Sequence, residues 1–168
     1  MKVKVGINGM GRIGRMILRS IFEGNKKIEI KHVNNRTSSE VCSTLLKYDS
    51  IHGKFKADIG FGEKNLIVNE KEISFTQEND LNKINWKKYD VDYVFECTGK
   101  FNSKDMLQPH LNNGAKKVIV SAPCKNADRT IVFGVNESEL RKEDNIISAA
   151  SCTTNCLAPI SHVLNENF

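Results

Sequence analysis

Over residues 3–7 apolar residues alternate with polar or small ones, which is the two-residue period of a β-strand. From residue 13 onward the apolar positions return every three or four residues, the spacing of a helix that buries one side. These positions are Ile13, Met16, Ile17 and Ile21. Gly24 and Asn25 mark the predicted end of this helix, and residues 28–33 predict a second strand. The start of the chain therefore predicts a βαβ unit.

The pattern changes character in the next part of the chain. Thr37 and Glu40 have the spacing of a capping box, which predicts the start of a second helix with apolar residues at 41, 42, 45 and 46. Two apolar runs, 66–68 and 73–75, flank a polar, turn-like stretch and indicate a hairpin. We therefore expect an antiparallel insertion within residues 55–77.

The rest of the chain alternates short apolar runs with helical segments. Buried strands are predicted at 91–95, 118–120, 131–133 and 146–149. One helix is predicted over 103–113, bent or shortened by Pro109 and ended by Gly114. Another is predicted over 153–168, with its apolar residues on one side. Strands that alternate with helices indicate an α/β fold with a doubly wound, mostly parallel sheet and an antiparallel hairpin insertion.

Composition narrows the class of protein. The chain has 168 residues, of which 39% are hydrophobic and 27% charged, and this balance excludes disordered, collagen-like and low-complexity chains. No run approaches about 18 apolar residues, and the alternating N-terminus differs from a signal peptide, so we expect a cytoplasmic protein without membrane contact. The net charge of +5 arises from interleaved basic and acidic residues, so no nucleic-acid partner is predicted.

The most informative motif is Gly9-x-Gly11-x-x-Gly14, directly after the first strand and directly before the first helix. In such a turn the first glycine permits the tight bend, the second lets a pyrophosphate approach, and the third allows close packing of helix on strand. The N-terminus of the helix offers unpaired N–H groups to phosphates. The motif predicts a dinucleotide site in a Rossmann-like sheet, with NAD or NADP as the cofactor.

The end of the second strand bears on the choice of cofactor. Dinucleotide sites usually place an acidic residue there to bind the ribose hydroxyls, but this chain has Asn35, followed by Arg36. An amide does not repel a 2′-phosphate, and a guanidinium pairs well with one. The alternative is that Arg36 points into water, so the preference between NAD and NADP stays open, with a tilt toward NADP.

Cys152 lies between the last predicted strand and the last predicted helix, where the helix dipole favours its thiolate. A nucleophilic cysteine also needs a base. His162 is too far along the helix, and the other three histidines lie in segments with no reason to meet the thiol. A structural role for Cys152 therefore competes with a catalytic one. The other four cysteines are expected to be structural, and without a C-x-x-C pair no metal site is predicted.

Five segments occur in a fixed order along the chain. They are GINGMGRIGR at 6–15, KYDSIHG at 47–53, ECTG at 96–99, VSAP at 120–123 and ASCTTNC at 150–156. Together they resemble the phosphorylating glyceraldehyde-3-phosphate dehydrogenases, and the segment around Cys152 is the most specific of the five. Since that family's chain is about twice as long, the resemblance implies a dinucleotide-binding domain over 1–150 and the start of a truncated catalytic domain over 151–168.

The resemblance implies roles for the matched residues. Cys152 would attack glyceraldehyde 3-phosphate to form a thiohemiacetal, hydride would pass to the nicotinamide, and inorganic phosphate would release the thioester as 1,3-bisphosphoglycerate. Ser151 and Thr153 would help to bind the substrate or phosphate. Asn35 stands in the position of the ribose-binding Asp. The other implied cofactor contacts are Arg12, Ile13, Thr98 and Ser121. The full-length protein would be a homotetramer of glycolysis or gluconeogenesis.

The chain departs from the family pattern at Met10, where Phe is usual, and at Asn79, where many members have Arg. The family's activating histidine and its phosphate-binding arginine lie beyond Phe168. We therefore expect these 168 residues alone to bind dinucleotide weakly and to show no turnover. Two alternatives stay open, namely an erythrose-4-phosphate dehydrogenase with the same covalent route and a dinucleotide-binding module without catalysis.

Overall fold

The computed structural model describes residues 2–24 and 27–168. The strands are β1 (Val3–Asn8), β2 (Ile28–Asn34), β3 (Tyr48–Asp49), β4 (Gly53–Lys54), β5 (Ile59–Gly62), β6 (Asn65–Val68), β7 (Lys71–Thr76), β8 (Tyr93–Glu96), β9 (Lys117–Val120), β10 (Arg129–Thr130) and β11 (Ile146–Ser148). The α-helices are α1 (Arg12–Gly24), α2 (Ser39–Lys47), α3 (Lys104–Asn112) and α4 (Cys152–Asn167). Short 3₁₀ turns cover Leu81–Lys83 and Glu137–Glu139. None of the helices described is long and apolar enough to cross a membrane.

Seven strands form the parallel part of the sheet, in the order β7-β2-β1-β8-β9-β11-β10. The chain moves outward from β1 through β2 to β7 and then restarts on the other side of β1 with β8. This order is that of a doubly wound, Rossmann-like sheet, so the predicted fold class is confirmed. The switch point lies between β1 and β8, where the carboxyl ends of neighbouring strands leave room for a ligand.

The predicted antiparallel insertion is also confirmed. β6 and β7 form a hairpin, and β5 adds a further antiparallel strand at that edge of the sheet. Asn69 and Glu70 join β6 to β7 with φ angles of 48° and 66°, as a two-residue type I′ turn requires. The Asn69 side chain accepts a hydrogen bond from the N–H of Asp58 at 2.9 Å and ties the turn to the segment before β5.

Both faces of the sheet are covered by hydrophobic cores. Val5 and Ile7 of β1 belong to a cluster with residues of α1 and α2, among them Leu18 and Leu46. The opposite face of β1 lies against the fully buried Trp86, and a Cβ on Gly6 would come within 2.5 Å of the indole ring. Gly6 is thus required by packing, because no larger residue leaves room for Trp86 beneath the sheet.

Several local predictions need correction at helix α1 and helix α2. Ile13 is 51% exposed, because the buried side of α1 is formed by Gly14 and Leu18, with Ile17 and Ile21 partly buried. α1 ends at Gly24 as predicted, and the predicted stop residue Asn25 lies outside the described residues. The predicted capping box of Thr37 and Glu40 at the start of α2 is wrong.

The N-cap of α2 is Ser38, whose hydroxyl accepts a hydrogen bond from the N–H of Val41. Thr37 instead turns toward Asn35, with 2.6 Å between the hydroxyl oxygen and the amide nitrogen. Thr37 does not cap α2 because its hydroxyl is hydrogen-bonded to Asn35 instead. A Thr hydroxyl bonds groups of a neighbouring loop as readily as the N–H groups at a helix end.

The strand predicted at 131–133 is wrong. The strand in this region is β10, two residues earlier, and Phe133 is 84% exposed.

Helix α3 follows the prediction closely. Its N-cap is Ser103, it includes Pro109, and Gly114 just after it has a φ of 108°.

Helix α4 is confirmed, but no residue in it is buried. Its apolar residues, which the pattern placed on one side, are exposed. They are Cys156, Ile160, Val163 and Leu164. The helical spacing therefore identified the helix but did not identify a partner for its apolar side within the described residues.

Candidate dinucleotide and cysteine site

A cleft of about 450 Å³ opens at the carboxyl ends of β1, β2 and β8, at the switch point of the sheet. Five residues predicted as cofactor contacts line it: Gly9, Gly11, Asn35, Arg36 and Thr98. The lining also contains residues that the sequence pattern did not single out, among them Asn8, Asn34, Glu78, Lys100 and Phe101. The structure thus brings the glycine turn together with the ends of three neighbouring strands.

Four other predicted contacts do not line this cleft. Arg12 and Ile13 are exposed at the start of α1, and Gly14 is buried under the turn. Ser121 lies behind Cys97, since its N–H donates to the Glu96 carbonyl at 3.0 Å and its side chain hydrogen-bonds the Cys97 thiol. Their roles toward a cofactor stay predictions.

The glycine turn has the geometry that a pyrophosphate cradle needs. Gly9 has a φ of 98°, which other residues rarely adopt. A Cβ on Gly14 would lie 2.0 Å from the Gly9 carbonyl oxygen, so only glycine permits this approach of helix to turn. A Cβ on Gly11 would meet nothing within 4 Å of protein, so it would point into open space. This space is where a ligand would replace the missing side chain.

The first turn of α1 offers donors to an anion. The N–H of Arg15 donates to the Gly11 carbonyl at 3.1 Å, which begins the helical pattern. No described residue supplies an acceptor to the N–H groups of Arg12 and Ile13, as is usual for the first turn of a helix. Together with the dipole of α1, these donors fit the phosphates of a dinucleotide.

The amide of Asn35 is engaged by the protein itself. Its Oδ1 accepts a hydrogen bond from the N–H of Met10 at 3.0 Å and so fastens the glycine turn to the end of β2. Its Nδ2 donates to the Thr37 hydroxyl at 2.6 Å and to the Cys42 sulfur at 3.2 Å. The end of β2 therefore presents an amide and the exposed Arg36 where many dinucleotide sites present a carboxylate.

Polar residues at the last positions of β1, β2 and β8 form a buried network under the cleft. Asn34 donates to Asn8 at 2.8 Å, and Asn8 donates to the Glu96 carboxylate at 2.6 Å. Glu96 also accepts from the N–H of Thr98 at 2.8 Å and from its hydroxyl. Polar residues at the carboxyl ends of buried parallel strands were the sequence signal that could have revealed this network.

The network continues on both sides. His110 lies 3.0 Å from Glu96 through Nε2, and its Nδ1 accepts from the Trp86 indole N–H at 2.9 Å. On the other side the Thr76 hydroxyl donates to Asn34 at 2.8 Å and contacts Nε2 of His32. Burial, helped by the charge of Lys88, lowers the pKa of His32 to about 3, so its ring is neutral at physiological pH.

Cys152 is the first residue of α4, and it is exposed. The N-cap Ser151 accepts a hydrogen bond from the N–H of Thr154 at 3.0 Å, and its hydroxyl lies 3.0 Å from that of Thr153. Ala150, just before the cap, has a φ of 60°, a conformation that costs a non-glycine residue free energy. Such strain is often found at functional loops.

Asn155 holds this strained loop in place. Its Nδ2 donates to the carbonyl oxygens of Ala149 and Ser151 at 2.8 and 2.9 Å, on either side of Ala150. A second cavity of about 490 Å³ lies beside the loop, lined in part by Ser151, Thr154 and Cys124. The hydroxyl groups of the loop thus face a space in which a small polar ligand could bind.

The four histidines of the chain lie in different parts of the described structure. His32 and His110 are buried in the network, and His52 contacts Asp49 at 3.1 Å. His162 lies ten residues after Cys152 on the same helix, and no hydrogen bond joins a described histidine to Cys152. The position of the base beyond residue 168 stays a prediction.

The other cysteines differ in their surroundings. Burial raises the pKa of Cys97 to about 12, and it also raises the pKa of Cys42 and Cys124 above the ordinary value. Cys156 is exposed on α4, so the structural role expected for it is not supported by burial. Cys152 and Cys156 are therefore the accessible thiols among the five.

Comparison with known proteins agrees with this geometry. Residues 3–104 match the family model described as glyceraldehyde 3-phosphate dehydrogenase, NAD binding domain. The chain is 50% identical over its whole length to glyceraldehyde-3-phosphate dehydrogenase 2 of Bacillus subtilis, covering 49% of that protein. It is 48% identical over 98% of its length to the Thermotoga maritima enzyme and 49% identical over its whole length to that of Geobacillus stearothermophilus, covering 50% of each.

The chain thus spans about half the length of the curated relatives it matches. The family model covers the glycine turn, the ends of β1, β2 and β8, and every residue that lines the cleft. The cleft, its glycine turn and these similarities together place the chain in the glyceraldehyde-3-phosphate dehydrogenase family, with the family's NAD-binding domain at its N-terminus.

Proposed function

We propose that this chain carries the cofactor domain and the cysteine nucleophile of an NAD(P)-dependent, phosphorylating glyceraldehyde-3-phosphate dehydrogenase. The dinucleotide-binding domain would span 1–150, and 151–168 would begin the catalytic domain. The observation that carries the proposal is the position of Cys152, exposed at the start of α4 and two residues after the strained Ala150. The relatives named above act on glyceraldehyde 3-phosphate by their names, which favours that aldehyde over erythrose 4-phosphate.

The residues of the cleft fit a dinucleotide. Gly9, Gly11 and the free N–H groups of Arg12 and Ile13 would hold the pyrophosphate, and Asn35 with Arg36 would face the adenosine ribose. Thr98 and Ser121 would lie on the nicotinamide side. When bound, the nicotinamide supplies the acceptor for the hydride that leaves the substrate. The protein's part is to hold that ring against the carbon bound to Cys152.

The covalent steps take place on Cys152. Its sulfur forms a C–S bond with the aldehyde carbon, and the carbonyl oxygen takes up a proton to give a thiohemiacetal. Loss of hydride and of that proton leaves a thioester on the sulfur. An oxygen of inorganic phosphate then attacks the thioester carbon, the C–S bond breaks, and 1,3-bisphosphoglycerate leaves the regenerated thiolate. Ser151 and Thr153, whose hydroxyls flank the thiol, would bind substrate or phosphate oxygens.

The base that accepts the thiol proton is proposed to come from outside residues 1–168, because no described histidine contacts Cys152. We further propose that the complete protein works as a homotetramer. Purified 1–168 with NAD⁺ or NADP⁺, aldehyde and phosphate is expected to bind dinucleotide without steady formation of the reduced cofactor. Calorimetry and absorbance of the reduced nicotinamide measure the two properties separately, and steady turnover by 1–168 would contradict this placement of the base.

We also propose that the cleft accepts NADP. The support is chemical: β2 ends in an amide, and the guanidinium of Arg36, exposed at the cleft, has no partner among the described residues. Asn35→Asp should shift preference toward NAD, and Arg36→Ala should weaken NADP binding about tenfold while leaving NAD binding nearly unchanged. Arg141→Ala, at an exposed arginine that does not line this cleft, is the matched control. An unchanged NAD/NADP ratio in both variants would show that these residues do not contact the 2′ position.

A further inference from the structure

Glu96 is a buried carboxylate without a cationic partner. It ends β8 and is only 1% exposed, and among the described residues the group within ion-pair distance is His110 rather than a lysine or arginine. A buried carboxylate normally requires a cation or a full set of hydrogen-bond donors. Its charge state therefore depends on which neighbours can donate to it.

On one side of Glu96 the hydrogen-bond donor is His110, and Trp86 determines which ring nitrogen of His110 carries the proton. An indole N–H can only donate a hydrogen bond, and it donates to Nδ1 of His110. Nδ1 therefore carries no proton, so the neutral ring has its proton on Nε2 and donates it to Glu96 at 3.0 Å. The Trp86 indole thus determines the tautomer of His110, which is fully buried. Because His110 is neutral in this tautomer, it does not cancel the negative charge of the Glu96 carboxylate.

The donor on the other side is set by a backbone N–H. The N–H of Glu78 can only donate, and it donates to Oδ1 of Asn34 at 2.8 Å. The Nδ2 of Asn34 must then face Oδ1 of Asn8, so the Nδ2 of Asn8 faces Glu96. Two one-way donors at opposite ends, Trp86 and the backbone of Glu78, thus orient every group between them toward the same carboxylate.

The remaining partner is Thr98. Its backbone N–H is a third one-way donor at 2.8 Å, and its hydroxyl contacts the same oxygen, Oε1. Of the four groups around Glu96, the Thr98 hydroxyl alone could accept a proton from it. Four donors match the four lone-pair directions of an ionised carboxylate, so the hydrogen bonds favour the charged form.

The Glu96 carboxylate lies directly beneath residues that line the cleft. Asn8 and Thr98 both hydrogen-bond Glu96, and both line the cleft. In a doubly wound sheet the pyrophosphate lies at the N-terminus of the first helix and the adenosine ribose at the end of the second strand. The nicotinamide half then lies on the β8 side, next to the residues that Glu96 holds.

We propose that Glu96 is a fixed negative charge that favours the oxidised, cationic nicotinamide over the reduced, neutral one, and that Trp86 and Asn34 are positioning residues that keep it charged. This inference rests on the proposed placement of the cofactor in the cleft. A unit charge acting over about 10 Å at an effective dielectric constant of about 30 corresponds to roughly a sixfold change in a binding ratio.

The test is the ratio of dissociation constants for reduced and oxidised cofactor, measured by calorimetry on the full 168-residue chain. Glu96→Gln should lower the preference for the oxidised form about sixfold. Asp144→Asn is the matched control, because Asp144 is also a buried carboxylate but pairs with Arg129 at 3.3 Å, at the edge strands. The ratio in this control should equal that of the wild type.

A second measurement does not depend on whether Glu96→Gln folds. The ¹⁵N spectrum of histidine-labelled wild type should show His110 as the Nε2–H tautomer. In Trp86→Phe, which lacks the indole N–H donor, His110 should no longer be confined to this tautomer. A wild-type His110 protonated on Nδ1 or on both nitrogens would overturn the assignment. Binding of both cofactor forms with an unchanged ratio in Glu96→Gln would overturn this inference alone. Failure of the wild type to bind either form would overturn the proposed function as well.

Discussion

In the dinucleotide cleft the groups behind the wall are buried and hydrogen-bonded across four strands, whereas α4, which begins with Cys152, has no buried residue. Glu96 and His110 are at most 1% exposed, and each has its partners in the described chain. Leu157 and Ile160 of α4 are more than half exposed, and the cysteine loop is held mainly by the hydrogen bonds of Ser151 and Asn155.

This difference indicates how far the described residues support dinucleotide binding and how far they support chemistry at Cys152. The cleft has a complete set of internal supports, so dinucleotide binding is expected from this chain itself. The cysteine loop offers an exposed thiol and nearby hydroxyls, and no described histidine is hydrogen-bonded to that thiol, so the proposed chemistry requires a base from elsewhere.

The largest contrast is expected between the thiols of the two regions. Burial raises the pKa of Cys97 in the cleft to about 12 from an ordinary 9.0, so its thiolate is about a thousandfold scarcer than that of an ordinary thiol. Iodoacetamide should label Cys152 first among the five cysteines, and Cys97 at least about a thousandfold more slowly. Mass spectrometry of labelled peptides measures the rates.

Cys152→Ser, which leaves Cys156 as the exposed thiol of α4, is the control for this comparison. Equal labelling of Cys152 and Cys156 would remove the argument that the helix N-terminus activates Cys152. Fast labelling of Cys97 would show that the cleft wall opens.

The glycine turn should separate folding from binding. Gly14→Ala places a Cβ 2.0 Å from the Gly9 carbonyl and should reduce the free energy of unfolding by about 3 kcal/mol. Gly11→Ala meets no protein atom within 4 Å, so stability should hold while dinucleotide binding weakens at least about tenfold. Urea unfolding and calorimetry distinguish the two outcomes.

Gly24→Ala serves as the matched control, since its Cβ also meets nothing and it lies far from the turn at the other end of α1. It should preserve both stability and binding. Unchanged binding in Gly11→Ala would mean that no ligand comes close to this backbone.

The buried network should make the cleft region sensitive to acid. Because the folded-state pKa of His32 is about 3 and its ordinary value is 6.5, the unfolded chain binds the proton first as pH falls. Stability is therefore complete above pH 6.5 and declines between 6.5 and 3, by about 2 kcal/mol at pH 5. Urea unfolding at pH 7 and pH 5 measures this loss.

His32→Gln should lose most of that pH dependence, whereas the control His52→Gln, at a mostly exposed position, should behave as the wild type. Carboxylates such as Asp49, whose pKa is lowered to about 2 by hydrogen bonds from the His52 and Ile51 N–H groups, lose their contribution as the pH falls below 3.8, which is below the two pH values that this measurement compares. An equal decline in wild type and His32→Gln would contradict the assignment to His32.

The smallest effect is expected at the cysteine loop. Ala150→Gly removes the strain of a φ near 60° but loosens the unfolded chain, so stability should change by less than about 1 kcal/mol. Ala150→Val should cost more, about 2 kcal/mol, because a β-branched residue tolerates this conformation poorly. Thermal unfolding and the labelling rate of Cys152 are the two readouts, and equal behaviour of both variants would show that the loop is not strained.

Much of the sheet was predictable because its signals are local. The alternation at 3–7, the glycine turn and the hairpin at 66–75 depend on neighbouring residues, and the structure confirms each of them. The strand at 131–133 failed because a two-residue edge strand leaves almost no pattern, and β10 lies at Arg129–Thr130 instead. The cap of α2 failed because Thr37 had a second partner, Asn35.

The parallel sheet, the glycine turn and the segment that carries Cys152 were predictable, since each follows from residue spacing along one stretch of chain. The meeting of Asn8, Asn34 and Glu96 under one cleft, and the tautomer that Trp86 imposes on His110, involve residues distant in sequence and arise only in the folded chain. The reason is that strand order, which no local pattern encodes, brings the ends of β1, β2 and β8 side by side.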